Sequence, residues 1–187
     1  MKVEKREIHI QNVVASASFK HGIDLDAIVK AFPDVEYRPT VFPGLAFRLK
    51  RPKTCALIFT SGSMVCTGAK SEKEARRAIM KVVKELKTAG IIITGKPEIQ
   101  ITNIVASGSL GTPIDLEALC ERACMGGGLV YEPEQFPAVM YRMGSPRVVF
   151  LLFSTGKIVC VGAKKEEDVY EAVENLRRRL EEMKVLL

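Results

Sequence analysis

Two asparagines at matching places in a duplicated chain are the first residues that could do chemistry. Asn12 stands in E-I-H-I-Q-N-V-V-A-S-A-S, which starts at Glu7, and Asn103 in E-I-Q-I-T-N-I-V-A-S-G-S, which starts at Glu98. Neither has a sequence-evident partner, and an amide buried unpaired in the middle of a strand is costly. Basic residues border the strands that follow: Arg48, Lys50, Arg51, Lys53 and Lys70, then Arg142, Arg147, Lys157 and Lys164. An apolar floor with a few amide or hydroxyl groups and a cationic rim matches the minor groove of DNA. Sugars there are apolar, base edges offer mostly acceptors, and phosphates flank both sides. Catalytic and metal chemistry are poorly served by contrast. The two histidines, His9 and His21, lie in one copy only, with no visible nucleophile or carboxylate constellation. The five cysteines lack metal-ligand spacing. Cys66 and Cys160 occupy equivalent strand positions and read as small core residues, while Cys120 and Cys124 sit four apart on an expected helix. No metal, no cofactor and no enzymatic activity are expected.

The duplication organises everything else. Ile23-Asp24-Leu25 returns as Ile114-Asp115-Leu116, and Tyr37, Phe42, Pro43, Arg48, Leu57 and Phe59 return as Tyr131, Phe136, Pro137, Arg142, Leu151 and Phe153. Gly68-Ala69-Lys70 is matched by Gly162-Ala163-Lys164. A unit of about ninety residues is too long for a solenoid repeat. It predicts two similar half-domains, 1–90 and 91–187, related by a pseudo-two-fold axis and suited to a roughly two-fold target such as duplex DNA. The chain of 187 residues carries a net charge of +6, split as +8 over 1–90 and −2 over 91–187. That polarity lets a partner tell one end from the other. No segment approaches the roughly 18 continuous apolar residues of a membrane span, so no membrane association and an intracellular location are expected.

Each half reads as a strand (about 7–15; 98–107), a short helix (about 24–32; 115–124), four strands in quick succession and a long closing helix (about 71–88; 165–184). The four strands are placed near 35–38, 45–50, 54–60 and 64–69, with counterparts near 130–132, 139–143, 147–154 and 158–163. Gly126-Gly127-Gly128 reads as a turn before the strand that contains Leu129, Val130 and Tyr131, and Gly90 as a helix stop. The long helices carry apolar stripes through Ala75, Ile79, Val82, Val83 and Leu86, and through Val169, Ala172, Val173, Leu176 and Leu180. Lys73, Arg77, Lys81, Lys84, Arg177 and Arg178 fall largely on the other side, as a solvated face. Both faces of the strands are apolar, yet two helices per half cover only one. The uncovered face is expected to be a partner site, and in the absence of DNA it would also serve a homodimer.

These motifs resemble the TATA-box-binding protein family, in its archaeal form, over nearly the whole chain. Q-N-V-V-A-S, F-P-G-L-A-F-R-L, A-L-I-F-T-S-G, V-C-T-G-A-K, Y-E-P-E-Q-F-P and L-L-F-S-T-G-K carry the resemblance in combination and in duplicate. It implies an α+β two-repeat saddle: one curved ten-stranded antiparallel sheet, concave side on DNA, with four helices on the convex face. It implies a general transcription initiation factor that binds the TATA element of archaeal promoters. Phe42 with Phe59, and Phe136 with Phe153, would be wedge pairs that enter base steps and kink the duplex; this family is itself the reference example of such wedges. Pro43 and Pro137 would stiffen the wedge loops. Asn12 and Asn103 would donate to acceptors near the centre of the site, over an apolar floor of Val14, Leu57, Val65, Val105, Leu151 and Val159. Arg48, Lys70, Arg142, Lys157 and Lys164 would hold phosphates.

The copies differ in ways that matter. Thr67 matches a base-contacting hydroxyl of the family, but its counterpart is Val161; Gln11 is matched by Thr102 and Lys157 by Ser63. Unequal half-site contacts follow. Y-E-P-E-Q-F-P carries Glu132 and Glu134 where the first copy has Arg38 and Thr40. The family resemblance implies that transcription factor B docks there and brings in RNA polymerase indirectly.

Overall fold

The computed structural model describes residues 7–123 and 128–187. The chain divides into two compact units, Asn12–Thr102 and Met1–Gln11 with Asn103–Leu187. In the first repeat β1 (Ile8–Ser18) leads into α1 (Leu25–Ala31), then β2 (Leu45–Lys50), β3 (Lys53–Ile58), β4 (Ser63–Ala69) and α2 (Glu72–Thr88). The other repeat runs β5 (Glu98–Ser109), α3 (Leu116–Ala123), β6 (Leu129–Val130), β7 (Ala138–Gly144), β8 (Arg147–Phe153), β9 (Lys157–Ala163) and α4 (Glu166–Glu182). Strand order is β2-β3-β4-β1 in one repeat and β5-β9-β8-β7-β6 in the other. The pairings within each run are antiparallel.

Local chemistry sets the helix starts. Ser71 Oγ accepts from the Glu74 N–H at 3.0 Å, Asp24 from Ala27 at 3.1 Å and Asp115 from Ala118 at 3.0 Å. Each satisfies a donor that a helix start leaves without an internal partner. Gly90, at φ +89°, stops α2. The apolar stripe of α2 (Ala75, Ala78, Ile79, Val82, Val83, Leu86) is buried against β2, β3 and β4. The α4 stripe (Val169, Ala172, Val173, Leu176, Leu180) is equally buried, with α4 packed on β9. Full burial of each valine, leucine or isoleucine in these stripes contributes about 1.5–3 kcal/mol. Cys66 and Cys160 lie in these cores, and burial pushes the Cys160 thiol up to about 12.

The boundaries agree with the sequence reading to within a few residues, with two corrections. Nine strands are described, not ten: the segment expected near 35–38 makes only an isolated bridge, Glu36 to Ala46. Its counterpart β6 is extended by a further bond, Arg142 N–H to the Gly128 carbonyl at 2.9 Å. Gly128 reaches that position at φ +111°, a conformation strained for the aspartate at the equivalent place, Asp34. The second correction concerns Arg177, which is no part of a solvated face. Its guanidinium is largely buried, donating to the Leu110 carbonyl at 3.0 Å and pairing with Glu181 at 3.1 Å. Cys124, Gly126 and Gly127 lie outside the described residues.

Candidate nucleic-acid interface

Strand alternation sorts each repeat into a helix-covered face and an open one. In the first, Val13, Ala15, Ala17, Ala56, Ile58, Met64 and Cys66 are buried, while Val14, Leu57, Val65 and Thr67 between them stay half-exposed. In the second, Ile104, Ala106, Phe150, Leu152, Ile158 and Cys160 are buried, and Val105, Leu151, Val159 and Val161 half-exposed. The open residues meet side by side: Leu57 opposite Val65, Leu151 opposite Val159, and Val105 opposite Val161. Every floor residue named from the sequence therefore lies on the helix-free face of its own repeat.

The asparagines have partners that pattern reading missed. Asn12 Oδ1 accepts from the Gly68 N–H at 2.7 Å, and Asn103 Oδ1 from the Gly162 N–H at 2.9 Å. Both glycines sit at φ +102° beside a register shift, Val13/Ala15 in β1 and Ile104/Val105 in β5. A β-bulge with glycine at positive φ turns one backbone N–H out of the ladder, and here the amide oxygen takes it. With the oxygen held, only the two donors of the amide nitrogen remain to be offered, and in Asn12 that nitrogen reaches Thr67 Oγ1 on the open face at 3.1 Å. The signal available in the sequence was Gly-Ala-Lys in both copies, but a bulge is a pairing event and pairing is non-local.

The phenylalanines form two matching pairs. Phe42 and Phe59 stand 5.9 Å apart between ring centroids at 73°, and Phe136 and Phe153 stand 6.1 Å apart at 70°. Phe42 is 45% exposed and Phe136 48%, large values for rings of this size. One turn presents both: the Arg38 carbonyl accepts from Val41 and Phe42, and the Glu132 carbonyl from Gln135 and Phe136. Pro43 and Pro137 follow on the exposed side. A β-carbon on Gly44 would lie 2.6 Å from the Phe42 ring, so the absent side chain lets that ring lie close over the strand. Ala138 occupies the equivalent place in the other repeat.

Cations are exposed where expected, but they are not equivalent. Arg48, Lys70, Arg142, Lys157 and Lys164 all face solvent. Arg48 pairs with Glu36 at 3.3 Å. The residue equivalent to Glu36 is Val130, and Arg142 makes no ion pair among the described residues. Glu132 and Glu134 are exposed on the loop that carries Phe136. Cys55, absent from the sequence-derived site, belongs on the open face between Arg48 and Thr67. Burial pushes its thiol up despite the Arg48 guanidinium, so it is a neutral lining group near pH 7. His21 serves structure: its Nε2 accepts from the Thr94 N–H at 2.9 Å and its Nδ1 lies 2.8 Å from the Gly22 carbonyl, which ties down the segment after α2. Among the described residues no helix is long and apolar enough to cross a membrane.

Fold and surface together define a duplicated α+β protein with a helix-free apolar face, one fixed amide and one exposed phenylalanine pair in each repeat. Residues 7–89 and 98–183 each match the family described as transcription factor TFIID (or TATA-binding protein, TBP). The TATA-box-binding protein of Sulfurisphaera tokodaii is 48% identical over 179 residues, covering 96% of this chain and 89% of that one. That of Archaeoglobus fulgidus is 48% identical over 177 residues, 93% of this chain and 94% of that one. The solved structure of Methanococcus jannaschii TBP superposes with a TM-score of 0.82 at 46% identity, over 94% of this chain and 99% of that one. The chain belongs to the TATA-binding protein family, and its relatives here are archaeal.

Proposed function

We propose that this chain is a general transcription initiation factor that binds the minor groove of a TATA element. Its halves, 1–90 and 91–187, would form a saddle whose open sheet face lies on the DNA. The observation that carries the reading is the recurrence, in both repeats, of an oxygen-anchored asparagine on an apolar face beside an exposed phenylalanine pair. Anchored amides supply donors, and A·T pairs present only acceptors in the minor groove. Phenylalanines on stiff loops supply wedges, the mode for which this family is the reference case. The test is energy transfer across end-labelled duplexes carrying a T/A-rich octamer or its G·C-substituted control, titrated at several salt concentrations. Salt-sensitive bending of the T/A duplex alone is the expected result. Equal behaviour of the two duplexes would sink the reading.

Phosphate contacts should divide unequally between the repeats. Among the described residues Arg142 makes no ion pair, whereas Arg48 is already held by Glu36, and breaking a pair offsets part of any phosphate contact. Arg142→Gln should reduce the slope of log affinity against log salt by about 1. Arg48→Gln should change it less, and equal slopes would contradict the distinction.

Recruitment would run through the acidic loop of the second repeat. Glu132 and Glu134 stand on the same turn that carries Arg38 and Thr40 in the first repeat, so one shape bears opposite charge. A basic surface of transcription factor B suits that loop, with RNA polymerase following indirectly. Charge reversal at both glutamates should leave DNA binding intact and weaken recruitment in a band-shift assay by roughly tenfold or more, as expected when attraction becomes repulsion. Undiminished recruitment by the variant would refute the assignment.

A further inference from the structure

The two asparagines carry the same backbone anchor but different neighbours. Asn12 Nδ2 donates to Thr67 Oγ1 at 3.1 Å, on the same open face. A hydroxyl has one hydrogen and two lone pairs. The Thr67 hydroxyl faces both amide atoms of Asn12, 3.1 Å from Nδ2 and 3.4 Å from Oδ1, and keeps a lone pair able to accept. At the equivalent place beside Asn103 stands Val161, half-exposed and with neither. With Oδ1 taken by the Gly162 N–H, Asn103 has only its amide donors left to offer, and its neighbour Val161 is apolar.

In the minor groove A·T and T·A offer acceptors alone, whereas G·C adds the guanine N2 amino donor. Opposite Thr67 that amino group meets an oxygen able to accept from it. Opposite Val161 it meets methyl groups and an amide that presents donors only. A donor buried without an acceptor forfeits its full hydration. Discrimination rests as much on such unpaired groups as on the contacts made with the preferred partner. We propose that Val161 makes the Asn103 repeat the stricter discriminator against guanine, while the Asn12–Thr67 pair makes its own repeat the more tolerant one. The proposal rests on the minor-groove reading above and adds a specificity determinant to it.

The test uses the full chain and three sets of duplexes. The first is the T/A octamer, the second has one G·C pair substituted at each position in turn, and the third has inosine in place of each guanine. Inosine lacks only the N2 amino group. Affinities would be measured for the wild type, Val161→Thr and Thr67→Val. Val161→Thr should recover roughly tenfold in binding to the most penalised guanine duplexes, the scale set by one unpaired donor. It should recover nothing on their inosine counterparts. Thr67→Val should deepen the guanine penalty, measured for each variant relative to its own affinity for the T/A octamer, and leave the inosine penalty on that scale unchanged. These signs hold even when the box is bound in both orientations. Guanine penalties that do not respond to either variant, or gains equal on guanine and inosine, would overturn the proposal. Loss of preference for the T/A octamer over an all-G·C duplex by the wild type would instead defeat the minor-groove reading itself. The inosine comparison on wild-type protein needs no variant: a guanine penalty that persists with inosine overturns the proposal as well.

Discussion

Replacing Phe42 and Phe136 together by alanine should abolish bending of a T/A-rich duplex and leave the protein folded. Both rings are nearly half exposed and lie on loops, so neither fills a core, and no large cavity is created. What is lost is apolar surface that would be covered only between base pairs. Unstacking a step costs a few kcal/mol, and an inserted ring is what offsets it. Covering the exposed half of each ring contributes about 1–1.5 kcal/mol on the burial scale. Loss of both should weaken binding on the order of 10²-fold. The energy-transfer change on saturation should fall to that of free DNA, with the circular dichroism spectrum unchanged. Tight binding with full bending by the variant would remove Phe42 and Phe136 from the wedge assignment, since Phe59 and Phe153, each packed edge-on against the missing ring, would then suffice.

The largest stability effect should come from two glycines behind the phenylalanine pairs. Gly62 and Gly156 sit at φ +92° and +91° in the turns that follow Phe59 and Phe153. Each donates its N–H back to the carbonyl of that phenylalanine at 3.0 Å. Each carbonyl accepts in turn, from Phe19 at 3.0 Å and from Leu110 at 2.9 Å. A β-carbon at either place would lie 2.1 Å from a backbone oxygen, of His21 or of Thr112. Alanine there combines a strained backbone with a clash against main chain, which has no rotamer to retreat into. Gly62→Ala or Gly156→Ala should each cost about 3 kcal/mol or more, a fall in Tm of roughly 6–12 °C for a chain of this size. Gly90→Ala is the control: it shares a positive φ, but a β-carbon there would meet nothing within 4 Å. It should cost only about 1 kcal/mol. Equal losses at all three glycines would show that backbone strain, not the close approach, sets the cost.

Much of the interface was legible because duplication supplies its own internal comparison. The paired phenylalanines, the asparagines and the strand alternation could each be checked against a second copy. Residues that act through their own side chain at a fixed strand parity, such as Leu57, Val65, Leu151 and Val159, were placed on the open face correctly. Cys55 shares that parity and was overlooked because a cysteine seldom advertises itself as lining. The failures have one cause, a partner distant in sequence. The bulge that anchors Asn12 joins it to Gly68, and the pairing that sets Arg48 apart from Arg142 depends on Glu36 opposed to Val130. Arg177 reads as a surface cation because helical spacing says nothing of the Leu110 carbonyl that comes to meet it.

By itself the sequence determined that two α+β repeats exist, where their strands and helices run, which residues alternate to an uncovered face, and which family the chain resembles. These are properties of local period and of composition, which neighbouring residues settle among themselves. The tertiary structure alone decided what anchors each amide oxygen, that Arg48 is ion-paired, why glycine is required beside the phenylalanine pairs, and that one expected strand shrinks to a single bridge. Each of those depends on a hydrogen bond or a close approach between segments far apart in the chain, and no local pattern encodes the distance at which two such segments meet.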